Sequence, residues 1–312
     1  MTGYDLIDLM KQAYRRTHVV GSPENGIICG LDLEGRLFVV MNGRVLNRVV
    51  PEAILNRSNK SGFLNPGGDT LWPTPEGTCF GYEYASGNWR VPPAITGAVW
   101  EIVESDGNSA IMRAEIDLVN SRQLGIPCEF ERHIRLEFSD GKLIQNVKEV
   151  IRYIGVKTLQ TGEFLLAPWS LCQFDSGSEG KVIMPPPGPD HIWDLYDSSE
   201  SQRGLNGEVY EVRTDTPERF QIALGDNVPW IEYICDDFRV KRFAESLPDG
   251  QRYIDIVDAA PDQMPSDKGV KLSAYCDPSG FMEIEACGGC SRSLCNGDEL
   301  SVNITTEFTN SL

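Results

Sequence analysis

Two glutamates stand two residues apart near the carboxyl end of the sequence, in the segment "GFMEIEACGG" at residues 280–289. In a strand, Glu283 and Glu285 lie on the same face, because side chains repeat every two residues. Two adjacent carboxyl groups repel each other, and burial raises the pKa of at least one of them toward the range of a general base. The spacing therefore indicates acid–base chemistry if this face is buried, and a solvated outer strand if it is not.

A histidine is the commonest general acid near neutral pH, and the sequence has three. His133, in "EFERHIRLEF", falls on the polar side of an alternating pattern, so it either faces solvent or lines a concave sheet. His191, in "PGPDHIWDLYD", lies in a loop, and His18 lies between a helix and a strand. His133 and His191 are therefore the candidate acids.

Tryptophans and carboxylates occur together in two other segments, "NPGGDTLWPTPEG" at residues 65–77 and "LLAPWSLCQF" at 165–174. A sugar ring stacks its apolar face on an indole, while its hydroxyl groups need converging charged or amide partners. The alternative is that these tryptophans only plug the open end of a β-sandwich. The candidate sugar-binding residues are Asp69, Trp72, Glu76, Trp89, Arg90 and Trp169.

The elements that must position these residues are nearly all strands. Helical spacing of apolar residues appears only at 4–15, whereas hairpin signals such as Asp140-Gly141 recur along the chain. The pattern predicts a single domain over residues 1–312, with residues 1–20 containing a helix packed on the outside, and an all-β sandwich of large antiparallel sheets. The predicted strands include 98–104, 109–118, 129–138, 142–154, 219–225, 230–235, 238–244, 251–258, 269–276, 280–286 and 299–309. Residues 56–97 and 176–208, rich in Gly, Pro and aromatics, are interpreted as two long functional loops.

The charge and composition of the chain exclude some classes of binding partner. A net charge of -18 repels nucleic acid and anionic lipid, and no apolar run approaches the roughly 20 residues of a membrane span. We expect a cytoplasmic protein with a small-molecule ligand, and the sequence does not indicate its oligomeric state. The nine cysteines fit reduced, buried thiols better than disulfides. Cys287, Cys290 and Cys295 lack a matched fourth ligand, and nucleotide-binding motifs are absent, so we predict neither a metal nor a cofactor.

Three patches, "GGDTLWPTPEG", "NWRVPPAI" and "GFMEIEACGG…LCNGDELSVNITTEF", resemble the galactose mutarotase-like (aldose 1-epimerase-like) superfamily, and most closely an uncharacterised bacterial branch of it. The resemblance runs from about residue 25 onward. It implies a β-supersandwich with a carbohydrate site on its concave face. It also implies a carboxyl-terminal glutamate as the base at the anomeric hydroxyl, for which Glu285 is the best match and Glu283 the second. Where the family has its acid histidine this chain has "APWS", and His191 is the candidate for the family's second histidine.

These observations lead to two main hypotheses and one further alternative. The first is an aldose 1-epimerase-like isomerase in which Glu285 is the base and His191 or His133 the acid. The second is a non-catalytic sugar-binding or sensing protein that has lost the acid. The further alternative is a sugar lyase or hydrolase, which pairs Glu285 with Asp69 or Glu76. A cavity shared by Glu285, a histidine and Trp72 or Trp169 distinguishes the first hypothesis from the second.

Overall fold

The computed structural model describes residues 1–59, 62–82, 91–177, 179–216 and 218–311. The helices are α1 (Gly3–Gln12), α2 (Pro51–Leu55) and α3 (Pro93–Thr96), with single turns of 3-10 helix at Pro189–His191 and Glu200–Gln202. The helix predicted at residues 4–15 is confirmed, although it ends earlier. Tyr14 adopts a left-handed backbone conformation with φ of 55°, which is incompatible with another helical turn.

Strands make up most of the remaining described chain. In chain order they are β1 (Thr17–Gly21), β2 (Gly26–Gly30), β3 (Arg36–Met41), β4 (Arg44–Val45), β5 (Asp69–Thr74), β6 (Glu101–Ser105), β7 (Ser109–Val119), β8 (Gly125–Ser139), β9 (Lys142–Tyr153), β10 (Leu159–Gln160), β11 (Ala167–Asp175), β12 (Lys181–Met184), β13 (Ile192–Asp194), β14 (Arg203–Asn206), β15 (Val209–Arg213), β16 (Phe220–Leu224), β17 (Trp230–Ile234), β18 (Phe238–Ala244), β19 (Leu272–Asp277), β20 (Phe281–Cys287), β21 (Ser293–Leu294) and β22 (Glu299–Asn310).

Two ten-stranded antiparallel sheets pack against each other. The first runs β1-β2-β3-β5-β11-β20-β19-β16-β13, with β4 paired to β3, and the second runs β14-β15-β12-β17-β18-β22-β9-β8-β7-β6. Strands β10 and β21 form a small separate pair. This arrangement confirms the predicted all-β supersandwich.

The core lies between the sheets, and strands with a solvated outer face, such as β7, β9 and β22, alternate buried apolar and outward polar residues. In β22 the inward side chains are Leu300, Val302, Ile304, Thr306 and Phe308, all buried. Removing each large aliphatic side chain from water stabilises the fold by about 1.5–3 kcal/mol. Period-two alternation thus determines which face of each sheet is internal.

Helix α1 covers part of the outer face of the first sheet. A capping box joins Thr2 and Asp5 at its beginning, and Leu6 and Met10 then pack onto Phe38 of β3. The alternate residues of β3 point the other way, into the main core. The helix therefore covers the part of this face formed by β2 and β3. It does not cover the part formed by β5, β11, β20 and β19.

The interpretation of residues 56–97 and 176–208 as loops without strands is wrong in part. Asp69–Thr74 form β5, an internal strand between β3 and β11. The prolines of this segment argue, in the sequence, against an internal strand. Within β5, Pro73 is tolerated because it lies opposite Pro168, at a position where neither backbone nitrogen has to donate a hydrogen bond. Residues 176–208 contain β12, β13 and β14.

The strand predicted at residues 251–258 is also wrong. Arg252 makes only an isolated bridge with Cys290, and Ile254 and Ile256 are buried without joining a described strand ladder. Backbone bonds connect this segment to other connections, such as Gly77 N donating to Val257 O at 3.1 Å. The alternation of apolar residues at 251–258 therefore arises because Ile254 and Ile256 are buried in a connection, and not because the segment is a strand.

Candidate functional site

The two glutamates that the sequence pattern brings together lie on the outer face of the first sheet. Strand register places Leu171 beside Glu285 and Gln173 beside Glu283, so four neighbouring strands contribute side chains to one surface. This surface is the floor of a cavity of about 490 Å³. The volume falls in the range of small-molecule sites, roughly 300–1,000 Å³.

Glu285 is fully buried and is held by neutral donors. Trp169 Nε1 donates to its Oε2 at 3.0 Å, and Gln221 Nε2 lies 3.0 Å from each carboxyl oxygen. Burial raises the pKa of Glu285 to about 8, even though hydrogen bonds from Ser273 and Trp169 favour the ionised form. The negative charge of Glu76 adds to the upward shift. Glu285 can therefore exchange a proton close to neutral pH.

Glu283 accepts a hydrogen bond from Gln173 Nε2 at 2.7 Å. Burial and the neighbouring Glu285 carboxyl raise the pKa of Glu283 well above its ordinary value. Within the described residues, neither carboxyl forms an ion pair with an arginine or lysine. Because Glu285 has three hydrogen-bond donors and Glu283 has one, a single negative charge on the pair is better stabilised on Glu285.

Aromatic rings flank the floor at both ends. Trp72 lies directly opposite Trp169 in the β5–β11 register, and the two rings meet edge to face with centroids 6.2 Å apart. At the other end Tyr275 and Phe281 make a similar contact at 5.8 Å. Both tryptophans are more than nine-tenths buried, so they form a rigid wall and present little open ring surface.

Connections between strands supply the charged side walls. Glu76, Tyr196 and Asp258 line the cavity from such segments. Two arginines also line it: Arg48 Nη1 contacts Asp175 Oδ1 at 3.1 Å, and the Arg219 guanidinium lies over the Tyr196 ring, 4.2 Å from its centroid. Of the predicted residues, this cavity brings together Glu283, Glu285, Trp72, Trp169 and Glu76.

Sequence reasoning missed several of the lining residues. Gln173 was detectable, because it lies four residues after Trp169 in a strand and hence on the same face. Gln221, Arg48 and Arg219 reach the cavity through long-range strand pairing and ring stacking, for which no local signal exists. Trp89 and Arg90 lie outside the described residues.

The histidines lie elsewhere. His133 faces outward from the second sheet, where its Nε2 contacts Glu131 Oε2 at 2.7 Å. His191 Nδ1 lies 3.5 Å from Asp226 Oδ1, on a connection at the edge of the first sheet. All three histidines fall within the described residues, and none lines the cavity.

Asp69 lies on the opposite face of the first sheet, between the two sheets. Its Oδ1 accepts from Arg132 Nη2 at 2.9 Å and from the Ser170 hydroxyl at 3.0 Å. Arg132 also contacts Glu149 at 2.6 Å, and Arg242 Nη2 lies 3.3 Å from Asp69 Oδ2. These five residues, all buried, are called the inter-sheet cluster below.

The inter-sheet cluster pairs two carboxyl groups with two arginines. Burial alone favours the neutral form of Asp69, but the charges of Arg242 and Arg132 outweigh it and lower the pKa of Asp69. Burial raises the pKa of Glu149, and Arg132 opposes that effect. Arg132 also donates to the backbone oxygens of Gly35 and Asp69, so the cluster ties the two sheets together.

All nine cysteines carry free thiols. Burial raises the pKa of Cys287 well above its ordinary value, as expected for an unreactive core thiol. The described residues contain no group of three or more His, Cys, Asp or Glu side chains placed to hold a metal ion. In the same residues, no helix is long and apolar enough to cross a membrane.

Comparison with known proteins shows the fold. No protein-family model and no curated protein matches the sequence. Among solved structures, a protein from Synechocystis sp. PCC 6803 matches with a TM-score of 0.60 and 10% identity, over 95% of this chain and 96% of that one. A galactose mutarotase-like protein from Lactobacillus casei matches at 0.57 and 11%, over 94% and 100%. Another from Clostridium acetobutylicum matches at 0.56 and 12%, over 95% of each chain. The chain is thus similar to galactose mutarotase-like proteins in its fold, as its sequence patches indicate.

Proposed function

We propose that this protein binds a monosaccharide-sized sugar in the cavity and interconverts its anomers, with Glu285 as base and Glu283 as acid. The observation that carries the proposal is the pair of adjacent buried carboxyl groups, held by neutral donors on the floor of a ligand-sized cavity. Similarity to galactose mutarotase-like folds supports the substrate class. Function resides in the site and not in the fold, and the site here is the buried pair of carboxyl groups.

The reaction needs one proton removed and one supplied. Glu285 takes the proton of the anomeric hydroxyl, the oxygen forms a carbonyl with the anomeric carbon, and the bond from that carbon to the ring oxygen breaks. Glu283 gives its proton to the ring oxygen. Rotation of the open aldehyde followed by the reverse transfers closes the ring on the other face. Each transfer by a positioned group contributes roughly 10²–10⁴ in rate.

The environments of the two glutamates match these roles. The better hydrogen-bonded Glu285 is the group that ionises first, and Glu283 keeps its proton. A pair of acids whose surroundings separate their pKa values supplies both a base and an acid from one residue type. This assignment replaces the histidine acid, because His133 and His191 are not among the cavity-lining residues.

A second candidate is a non-catalytic sugar-binding protein. The specific observation in its favour is the cavity lining, which offers aromatic, amide and carboxyl groups but none of the chain's three histidines. Hydrolysis by Glu285 with Asp69 is not proposed, because the Asp69 side chain is directed into the inter-sheet cluster.

Anomer exchange measured by saturation-transfer NMR over a panel of aldoses and uronic acids tests the proposal. We expect wild-type protein to accelerate exchange for at least one sugar, and Glu285→Gln to reduce the rate by about 10²–10⁴-fold while sugar affinity changes little. Glu104→Gln, an identical change at an exposed edge strand, is the matched control and should leave both unchanged. If none of the sugars that bind shows accelerated exchange, the epimerase is excluded and the binding protein is supported.

A further inference from the structure

A chain of polar contacts leads from Glu283 away from the cavity. Gln173 donates to Glu283 through Nε2 at 2.7 Å, and its Oε1 accepts from Arg36 Nη1 at 3.3 Å. Arg36 in turn donates to Glu34 Oε2 through Nε at 3.2 Å and Nη2 at 2.7 Å. All four side chains are buried, and none is more than 7% exposed. An ion pair on β3 and its preceding turn is thus joined to the floor by a single amide.

Arg36 lies on β3, where the strands that are covered by α1 meet those that form the cavity floor, and several contacts hold it in place. Its Nη1 also donates to the carbonyl oxygen of Gly67 at 2.7 Å. Gly67 has a φ of 87°, and a Cβ there would lie 1.9 Å from the carbonyl oxygen of Arg48, so this turn accepts only glycine. The turn and Glu34 together fix the direction of the guanidinium.

Glu34 itself does not line the cavity that contains Glu283 and Glu285. It lines a separate cavity of about 400 Å³, together with Arg15 and Arg57. A substitution at Glu34 therefore changes the charge next to Arg36 without altering any group that lines the first cavity.

We propose that the Glu34–Arg36 ion pair is a positioning device that acts on Glu283 through Gln173. A guanidinium can only donate hydrogen bonds, so it takes the carbonyl end of the amide and turns the NH₂ end toward Glu283. One oxygen of Glu283 is then fixed as an acceptor, and the other is left to carry a proton. The consequence for turnover rests on the proposed function, whereas the effect on the carboxyl group itself does not.

The charged groups around Glu283 act in opposite directions. Glu285 on the same strand and Asp277 on β19 disfavour its ionisation, while Arg36 favours it. Tyr275 on β19 and Arg48, which lies over the ring of Phe281, are further titratable groups of the cavity wall. The remaining ones, on the connections and beside them, are Glu76, Tyr196, Arg219 and Asp258. Among these groups, Arg36 is the one whose charge can be tuned from outside the cavity, through Glu34.

Two variants should move the titration of Glu283 in opposite directions. Arg36→Met removes a favourable positive charge and should raise its midpoint, whereas Glu34→Gln removes the charge that offsets Arg36 and should lower it, each by about one pH unit. The midpoint is read from the ¹³C carboxyl signal of Glu283 in sugar-free protein carrying ¹³C-labelled glutamate, assigned with Glu283→Gln. Glu232→Gln, which removes the partner of Arg239 on the second sheet, is the matched control and should cause no shift.

The outcomes separate the two proposals. Opposite shifts support the positioning device even if no sugar is turned over, and the alkaline limb of the anomer-exchange profile should follow them if the proposed function holds. Shifts of the same sign, or none, overturn it, because structural damage has no reason to reverse sign. If Arg36→Met does not fold, Glu34→Gln decides alone, since its amide still offers Arg36 an acceptor. An unchanged midpoint in that variant overturns the proposal.

Discussion

The inter-sheet cluster and the cavity floor both use side chains of β5 and β11, but their acidic side chains have different partners. On β11, Ser170 donates to Asp69 between the sheets, while its neighbour Trp169 donates to Glu285 in the cavity. Asp69 has two arginine partners and a lowered pKa. Glu285 has only neutral donors, and its pKa is raised to about 8.

The difference shows how one sheet can use buried carboxyl groups in two ways. Burial makes an ionised carboxyl costly, and an arginine offsets that cost while neutral donors offset it only in part. Asp69, which has two arginine partners, becomes a fixed structural charge, whereas burial still raises the pKa of Glu149 against the opposing effect of Arg132. The carboxyl with neutral partners keeps a proton that it can give up near neutral pH, which is what acid–base chemistry requires.

Removing an arginine from the inter-sheet cluster should have the largest effect. Arg132→Met leaves Asp69 and Glu149 buried beside each other without their shared cation, and should lower the free energy of unfolding by about 3–5 kcal/mol. Chemical denaturation measures this. Arg135→Met, on the outward face of the same strand, should cost less than about 1 kcal/mol, because its partner Glu137 is exposed. Equal losses in both variants would contradict the role of Arg132 as the cation shared by Asp69 and Glu149.

The pH dependence of stability should have opposite signs in the two regions. Glu285 has a folded-state pKa of about 8 against an ordinary 4.5, so its contribution is fully present below pH 4.5 and is lost as the pH rises through 8. Asp69 has a lowered pKa, so its contribution is present above pH 3.8 and is lost as the pH falls.

Glu285→Gln should therefore gain stability relative to wild type by about 1 kcal/mol or more between pH 5 and pH 9. Denaturation curves of both proteins across that range give the difference. If the difference in the free energy of unfolding between the two proteins stays constant with pH, Glu285 has its ordinary pKa. The cavity floor would then not differ from an exposed site in its acid–base behaviour.

The smallest effect should come from weakening the neutral donors. Trp169→Phe keeps an aromatic ring but removes the Nε1 donor to Glu285, so the acid limb of the anomer-exchange profile should move upward by about 0.5–1 pH unit. Trp230→Phe, on the outer face of the second sheet, serves as the control and should leave the profile in place. A downward movement for Trp169→Phe would contradict the assigned role of this donor.

The sequence predicts the fold well wherever the physical signal is local. Spacing of apolar residues identifies α1, and alternation identifies most strands and places Glu283 and Glu285 on one face. It fails at β5, where the glycines and prolines of "NPGGDTLWPT" obscure a central strand whose pairing depends on distant β11. Long-range register decides which sheet face Asp69 occupies and which donors reach Glu285. The difference between the fixed charge of Asp69 and the exchangeable proton of Glu285 is therefore seen only in the folded structure.

The cavity takes its floor from strands and much of its walls from connections. Glu283 and Glu285 lie on β20, in the middle of a ten-stranded sheet, while Glu76, Tyr196 and Asp258 lie on segments between strands. Segments of the second kind tolerate changes of length and sequence far better than internal strands do. Specificity and chemistry can therefore diverge at different rates on this scaffold, and an engineer seeking a new ligand would exchange these connections and leave the glutamate strand intact.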